Sequence, residues 1–307
     1  MISFIVTARN ESPPVLAATI DSLLATSAAH AREIILVDDS SDPPVELDRP
    51  DLRILRNTWP TGVAQSRRCG AALASGDILV FTDAHMRFAP DWLEQMLAHV
   101  DSGALLCASW WDWEMTRPLC YGGEFLWCAE RDYHAGRTPG LTFRHLTRFP
   151  GAGAVDVPMV IGACYMILRC AYDRLGGFSP FFRVWGKSEQ DISARAWITG
   201  VGARCVTGAR VAHLSRKQFP YPVRWEEIEF NQAAMARTVF AEPVARRMEE
   251  MLRPLPNEVE TWLAEADFTA WRAQVQSRRR LTDAEFFRRF VPNAPECFTR
   301  EEPPPLP

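Results

Sequence analysis

Asp83-Ala84-His85 follows directly on the apolar run Ile78 to Phe81 and Thr82. On an extended segment, side chains two residues apart point to the same side, so this carboxylate and this imidazole can bind one ion jointly. An oxygen donor beside a nitrogen donor suits a borderline divalent metal such as Mn²⁺ better than Ca²⁺. His213, in Arg210-Val211-Ala212-His213, is a candidate third ligand. A strand-end Asp or a lone His is, by itself, more often turn or surface chemistry; the apolar strand ahead of Asp83 and the second histidine argue for more. A metal here would grip a diphosphate. A departing nucleoside diphosphate gains negative charge, which a Lewis acid and a nearby cation stabilise. Arg216, three residues after His213, can supply the cation, and Arg67, on the segment after Gly62, can reach a nucleotide.

These residues need elements to place them. Ile2 to Val6, Glu33 to Val37, Leu52 to Leu55 and Ile78 to Phe81 read as short apolar strands. Between them, Ser12-Pro13-Pro14 opens a helix to about Leu24, with Ser12 as cap and a proline near the first helical position. Gly62 to Ser75 reads as a second helix closed by Gly76, and Pro90 starts a third with Trp92, Leu93, Met96 and Leu97 at helical spacing. Strands alternating with helices imply an α/β fold with a mainly parallel sheet. Ligands of such sheets bind beyond the carboxyl ends of the strands, where Arg9-Asn10-Glu11, Asp38-Asp39-Ser40 and Asp83-Ala84-His85 all fall.

Further on, Trp110, Trp111 and Trp113 belong either to the core or to an acceptor groove, and Gly151 to Gly153 marks a loop. Pro158 to Leu168 reads as an apolar strand. Ser188 to Thr199 reads as a helix capped by Ser188 and stopped by Gly200, with Asp191 placed as in a capping box. From Pro222 the pattern is helical, and 301–307 reads as a disordered tail. The expected division is a catalytic domain over 1–221, a helical extension over 222–300 and that tail.

The chain has 307 residues, 47% of them hydrophobic and 23% charged, which is ample for a buried core. A net charge of -4 argues against a nucleic-acid partner. No basic leader precedes the first strand, and no run of about 18 apolar residues could span a bilayer. A cytoplasmic location is expected, compatible with peripheral contact at a membrane. The eight cysteines form no CxxC pair and read as reduced structural thiols.

The order of these segments resembles the GT-A glycosyltransferases, specifically the polypeptide N-acetylgalactosaminyltransferase group, over about residues 2 to 221. Asn10-Glu11 resembles the group's HNE segment, and Ile34 to Ser40 its nucleotide strand and turn. Gly62 to Gly70 resembles G-x-x-x-A-R-x-x-G, with Arg67 on the arginine. Asp83-Ala84-His85 matches the metal motif, followed by Trp92-Leu93-Glu94; Tyr121-Gly122-Gly123 and Pro158-Met159 match two more segments. Trp185-Gly186 with Ser193 and Arg195 follows W-G-x-E-N-x-E-x-S-x-R, and His213 to Tyr221 resembles H-V-F-R-K-x-H-P-Y. The resemblance implies a GT-A fold, a UDP-sugar donor, Mn²⁺ (with Mg²⁺ as the alternative), and transfer to a hydroxyl with retention of configuration. It assigns Asp83, His85 and His213 to the metal, Asp39 to the nucleoside, Arg67 to the uracil or its surroundings, and Trp185 and Arg216 to the sugar-diphosphate. Thr7, Ala8, Arg9, Glu11, Gly62 and Thr82 complete the implied donor contacts.

Three positions depart from that pattern. Ser188 stands where the group has Glu, Glu189 where it has Asn, and Phe219 where it has His. The donor sugar therefore need not be N-acetylgalactosamine, and the acceptor, whether peptide, glycan or small molecule, is open. Glu189 and Asp191 also fit the broader glycosyltransferase family 2, whose inverting members use a carboxylate at this position as general base; Glu189 is the better placed of the two. The metal motifs favour retention. A nucleotide-sugar-binding module without turnover is the rival from another class. A nucleotidyltransferase is weaker still, because no glycine-rich, lysine-bearing loop follows the first strand.

Overall fold

The computed structural model describes residues 1–130, 138–216, 218–252, 261 and 265–300. The 301–307 tail and Lys217 of the His213 segment lie outside the described residues.

The first half builds the expected parallel unit. β1 (Ile2–Ala8), β2 (Arg32–Asp38), β3 (Leu52–Arg56) and β4 (Ile78–Asp83) stand in the order β3-β2-β1-β4, all parallel. The apolar residues of β1, β2 and β4 are almost wholly buried because helices cover both faces, whereas the edge strand β3 leaves Ile54 exposed. α1 (Pro13–Thr26) starts after Ser12 with proline in its first turn, although the Ser12 side chain makes no capping bond. α2 (Val63–Leu73) packs on β1 and β2, and α3 (Trp92–Leu97) buries Trp92, Leu93 and Met96.

The second half extends the same sheet with mixed direction. β11 (Cys164–Leu168) runs antiparallel to both β4 and β6 (Leu105–Trp111), and β12 (Ala203–His213) lies parallel to β6. β10 (Ala154–Asp156) edges β12, the short β5 (Met86–Phe88) also pairs with β12, and β7 (Pro118–Cys120) pairs with β6. A separate hairpin joins β8 (Gly123–Cys128) to β9 (Gly140–His145). α4 (Arg169–Leu175) and α5 (Ser188–Ile198) follow. The C-terminal segment adds α6 (Trp225–Val239), α7 (Glu242–Glu249), α8 (Ala266–Gln276), α9 (Asp283–Phe290) and α10 (Glu296–Thr299). Phe230, Phe240, Phe286 and Phe287 share one hydrophobic cluster with Ile5, Leu79 and Tyr165 of the sheet, so these helices have a common core with it.

Three local expectations change. α2 ends at Leu73, before Gly76, because Ala74 is already extended. Gly76 instead sits against the first strand, where a Cβ would come within 2.6 Å of Ser3 Oγ. Pro158 to Leu168 is strand only from Cys164: Ala163 has a φ of 82°, and the Val160 amide donates to Ser193 Oγ rather than to a ladder. Apolar runs bounded by a turn cannot be told from strands by pattern alone. Finally, Ser188 is the first residue of α5 and not its cap. Lys187 occupies the cap in left-handed conformation with φ 68°, and no side chain caps this helix.

Candidate metal and nucleotide site

Sheet pairing brings the polar clusters together. β1 is in register with both neighbours, so Ala8 lies beside Asp38 and Thr7 beside Asp83. Arg9, Asp39 and Asp83 therefore emerge along one rim. On the far side, β5 pairs antiparallel with β12, setting His213 opposite Met86, and the Leu214 amide donates to the His85 carbonyl at 3.1 Å. Residues 83 to 86 and the end of β12 thus present both histidines to one space. That space is a cavity of about 570 Å³, lined among others by Thr7, Ala8, Arg9, Glu11, Asp39, Arg67, Asp83, His85, Trp185, Glu189, His213 and Arg216.

Asp83, His85 and His213 each offer a ligand atom, all within 4.8 Å of one another. His85 Nε2 lies 3.0 Å from His213 Nε2, and the same His213 nitrogen is 3.6 Å from Asp83 Oδ2. Glu11 stands behind His85, its Oε2 2.9 Å from Nδ1. A carboxylate there holds the proton on Nδ1 and leaves the Nε2 lone pair facing the cluster, as in outer-shell support of metal-bound histidines. His213 Nδ1 is buried without a partner among the described residues, and its ring stacks on Trp110, centroids 4.6 Å apart. One oxygen and two nitrogens converging in this way fit a borderline divalent metal.

A second layer fixes the charges. Burial would raise the Asp83 carboxyl, but His213, Arg67 and His85 outweigh it and hold the group well below the ordinary carboxylate range. Burial likewise opposes the Glu11 carboxylate, yet His85 and Arg216 keep it ionised below its usual value. Arg216 pairs directly with Glu11 Oε1. Arg67, almost fully buried, donates to Asp83 Oδ1 at 2.9 Å and to Glu189 Oε1 at 3.2 Å. Burial works against its charge, but Tyr165, Asp83 and Glu189 leave it more basic than free arginine. Tyr165 also donates to Glu189 Oε1, at 2.8 Å.

Not every candidate faces the cavity. Asp191 does not: it is buried and paired with Arg195, which also donates to the Leu175 and Gly177 carbonyls. This corrects both the capping-box and the catalytic expectation for Asp191, since a helix-interior i,i+4 pair claims it. Thr82 is enclosed in the sheet between β1 and β11. Gly62 acts through its backbone: its amide donates to Asp39 Oδ2 at 2.9 Å, and at φ 91° a Cβ would sit 2.5 Å from the Val184 nitrogen. Asp39 also accepts from Asn57 Nδ2, the Thr61 amide and the Thr61 hydroxyl, so it organises the loop entering α2 as well as lining the cavity. Of the three tryptophans only Trp110 lines it; Arg87 stacks on Trp113 and Arg210 on Trp111. At the mouth Trp185 and Phe219 are 40% and 47% exposed with ring centroids 4.8 Å apart, while Arg9 lies over Tyr221. Sequence reasoning missed Tyr165. A hydroxyl in an otherwise apolar buried strand was the available signal, because a buried Tyr needs a partner.

The profile of Glycosyl transferase family 2 matches residues 3–174. Human polypeptide N-acetylgalactosaminyltransferase 14 is 30% identical over 243 residues, taking in 71% of this chain and 41% of that protein. Mouse polypeptide N-acetylgalactosaminyltransferase 16 is 29% identical over 232 residues, again 71% of this chain and 41% of the relative. The chain thus spans well under half the length of these relatives. The crystal structure of GalNAc-T7 with UDP, GalNAc and Mn²⁺ resembles it with a TM-score of 0.71 at 18% identity, covering 94% of this chain and 57% of that one. The shared architecture is the GT-A fold. Among the described residues no helix is long and apolar enough to cross a membrane.

The Asp191 assignment is testable by stability. Asp191→Ala leaves Arg195 buried without a counter-charge, which should cost about 3–5 kcal/mol. Urea denaturation should show a clearly lowered midpoint; an unchanged midpoint would contradict the structural role.

Proposed function

The chain belongs to glycosyl transferase family 2, and on that footing we propose that it is a metal-dependent transferase moving a sugar from a UDP-sugar to an acceptor hydroxyl with retention of configuration. The convergence of Asp83, His85 and His213 carries this reading. UDP and Mn²⁺ are taken from the GalNAc-T7 complex of the same fold, and the O,N,N donor set here agrees with that ion. A bound metal would act as a Lewis acid on the diphosphate.

The chain's own residues then have separable tasks. Asp83, His85 and His213 would hold the ion, Glu11 would set the His85 tautomer, and Arg67 would orient Asp83 so that Oδ2 faces the histidines. Arg216 would neutralise the leaving diphosphate. Arg9, Asp39 and Tyr221 would shape the nucleoside end, and Trp185 would cover the sugar. Residues 1–221 would be the catalytic domain and 222–300 the helical segment that completes its core. The eight cysteines, all free, suit a reducing compartment such as the cytoplasm.

A second reading rests on Glu189. Both of its hydrogen bonds fall on Oε1, leaving Oε2 without a partner among the described residues in a group that lines the cavity. That oxygen could take the acceptor proton in an inverting displacement.

Two measurements separate these claims. His85→Ala and His213→Ala should each weaken Mn²⁺-dependent UDP binding by at least about tenfold, since each removes one inner ligand. Unchanged calorimetric affinity in both variants would sink the ligand assignment. Glu189→Gln should retain much of its turnover in a retaining enzyme, with NMR showing an unchanged anomer. Abolished transfer, together with an inverted wild-type product, would establish the second reading instead.

A further inference from the structure

Lys187 is an expensive residue for its position. It is 5% exposed and adopts the left-handed backbone conformation, with φ 68°, which glycine adopts at no steric cost. Among the described residues its ammonium makes one hydrogen bond, to the Leu141 carbonyl at 2.9 Å, and no ion pair. Burial pulls its pKa down to about 7, against the opposing influence of Cys128 on β8 and Glu229 on α6. A buried ammonium with a single neutral acceptor is unfavourable unless another group completes it.

Other buried polar groups are similarly incomplete. Among the described residues, the hydroxyl of Thr138, 2% exposed, has no partner, and both polar atoms of the fully buried Gln232 lack one. Gln232 packs on Gly140, whose Cβ would approach its Nε2 to 2.8 Å, and Gly140 precedes the Leu141 that takes the Lys187 bond. Lys187, Thr138 and Thr142 all line the cavity that holds Asp83, His85 and His213. Of the other cationic residues lining the cavity, Arg67 and Arg216 sit on carboxylates, while Arg9 lies over Tyr221 with its Nε unpartnered among the described residues.

We propose that Lys187, with Thr138 and Thr142, forms a subsite for the carboxylate of a hexuronate, in the donor or the acceptor sugar. One ammonium and two hydroxyls lining the same cavity match a monovalent carboxylate in charge and hydrogen bonding. A phosphate dianion would call for more cations, as arginine clusters supply. Lys187 directly precedes Ser188 and Glu189, two of the positions that depart from the N-acetylgalactosaminyltransferase pattern. A change of donor or acceptor chemistry would be written there.

The inference rests on the nucleotide-sugar reading only for the donor source, so the experiment has separate arms. Calorimetry at pH 7 on the full chain with Mn²⁺ compares UDP, UDP-glucose, UDP-glucuronate and free D-glucuronate, the last with and without UDP. It uses the wild type, Lys187→Gly, which keeps the left-handed backbone, and Lys187→Gln, which keeps side-chain length. A donor subsite predicts that UDP-glucuronate binds at least tenfold more tightly than UDP-glucose, and that both variants erase the difference. An acceptor subsite predicts no donor preference but glucuronate binding that both variants lose. Failure of UDP itself to bind would sink the nucleotide reading, while glucuronate alone would still judge the subsite. No carboxylate preference in any arm, or a preference surviving in both variants, would overturn the proposal.

Discussion

A single buried positive charge organises this site. Arg67 lies under the cavity and holds Asp83 with one terminal nitrogen and Glu189 with the other. Taking a guanidinium out of water costs on the order of several kcal/mol, which one imperfect pair does not repay. Two carboxylates and the adjacent rings of Tyr165 and Phe178 do better. The arrangement couples two halves of the chain: α2 carries the guanidinium, β4 the Asp83 carboxylate, and α5 the Glu189 carboxylate. Removing the charge would release both carboxylates at once, so the geometry of the Asp83, His85 and His213 cluster and that of Glu189 are parts of one electrostatic unit.

The backbone makes that unit possible by register rather than by proximity in sequence. β1 fixes the rim by pairing with β2 and β4 in parallel. The distant His213 arrives only because β12 runs beside β6 and then reaches β5, the three-residue strand immediately after His85. Glu11 then binds His85 and Arg216 together, tying the turn after β1 to the segment after β12. The C-terminal helices complete the core beneath this surface, which explains why apolar side chains far from the site in sequence, such as Phe240 and Phe286, are wholly enclosed.

Much of this was legible in the residues themselves. The parallel strands, their terminal polar clusters, the Asp83, His85 and His213 set and Arg67 all follow from apolar patterning and motif order. What stayed hidden depended on tertiary partners. Asp191 looked like a cap because spacing from Ser188 allowed it, but a buried arginine one turn along competes more strongly than a backbone amide. The Pro158 to Leu168 run looked like one strand because hydrophobicity does not register the left-handed turn at Ala163. Tyr165 and Lys187 were passed over because each matters only through a group distant in sequence, Glu189 for the hydroxyl and the Leu141 carbonyl for the ammonium.

Everything proposed for this site depends on Asp83, His85 and His213 sharing an ion. Pulsed electron paramagnetic resonance of the protein with one equivalent of Mn²⁺ reads this without any assay of turnover. Couplings from two histidine nitrogens, with one of them lost in His213→Ala, are the expected result. A bound Mn²⁺ showing no nitrogen coupling, with oxygen ligands alone, would contradict it.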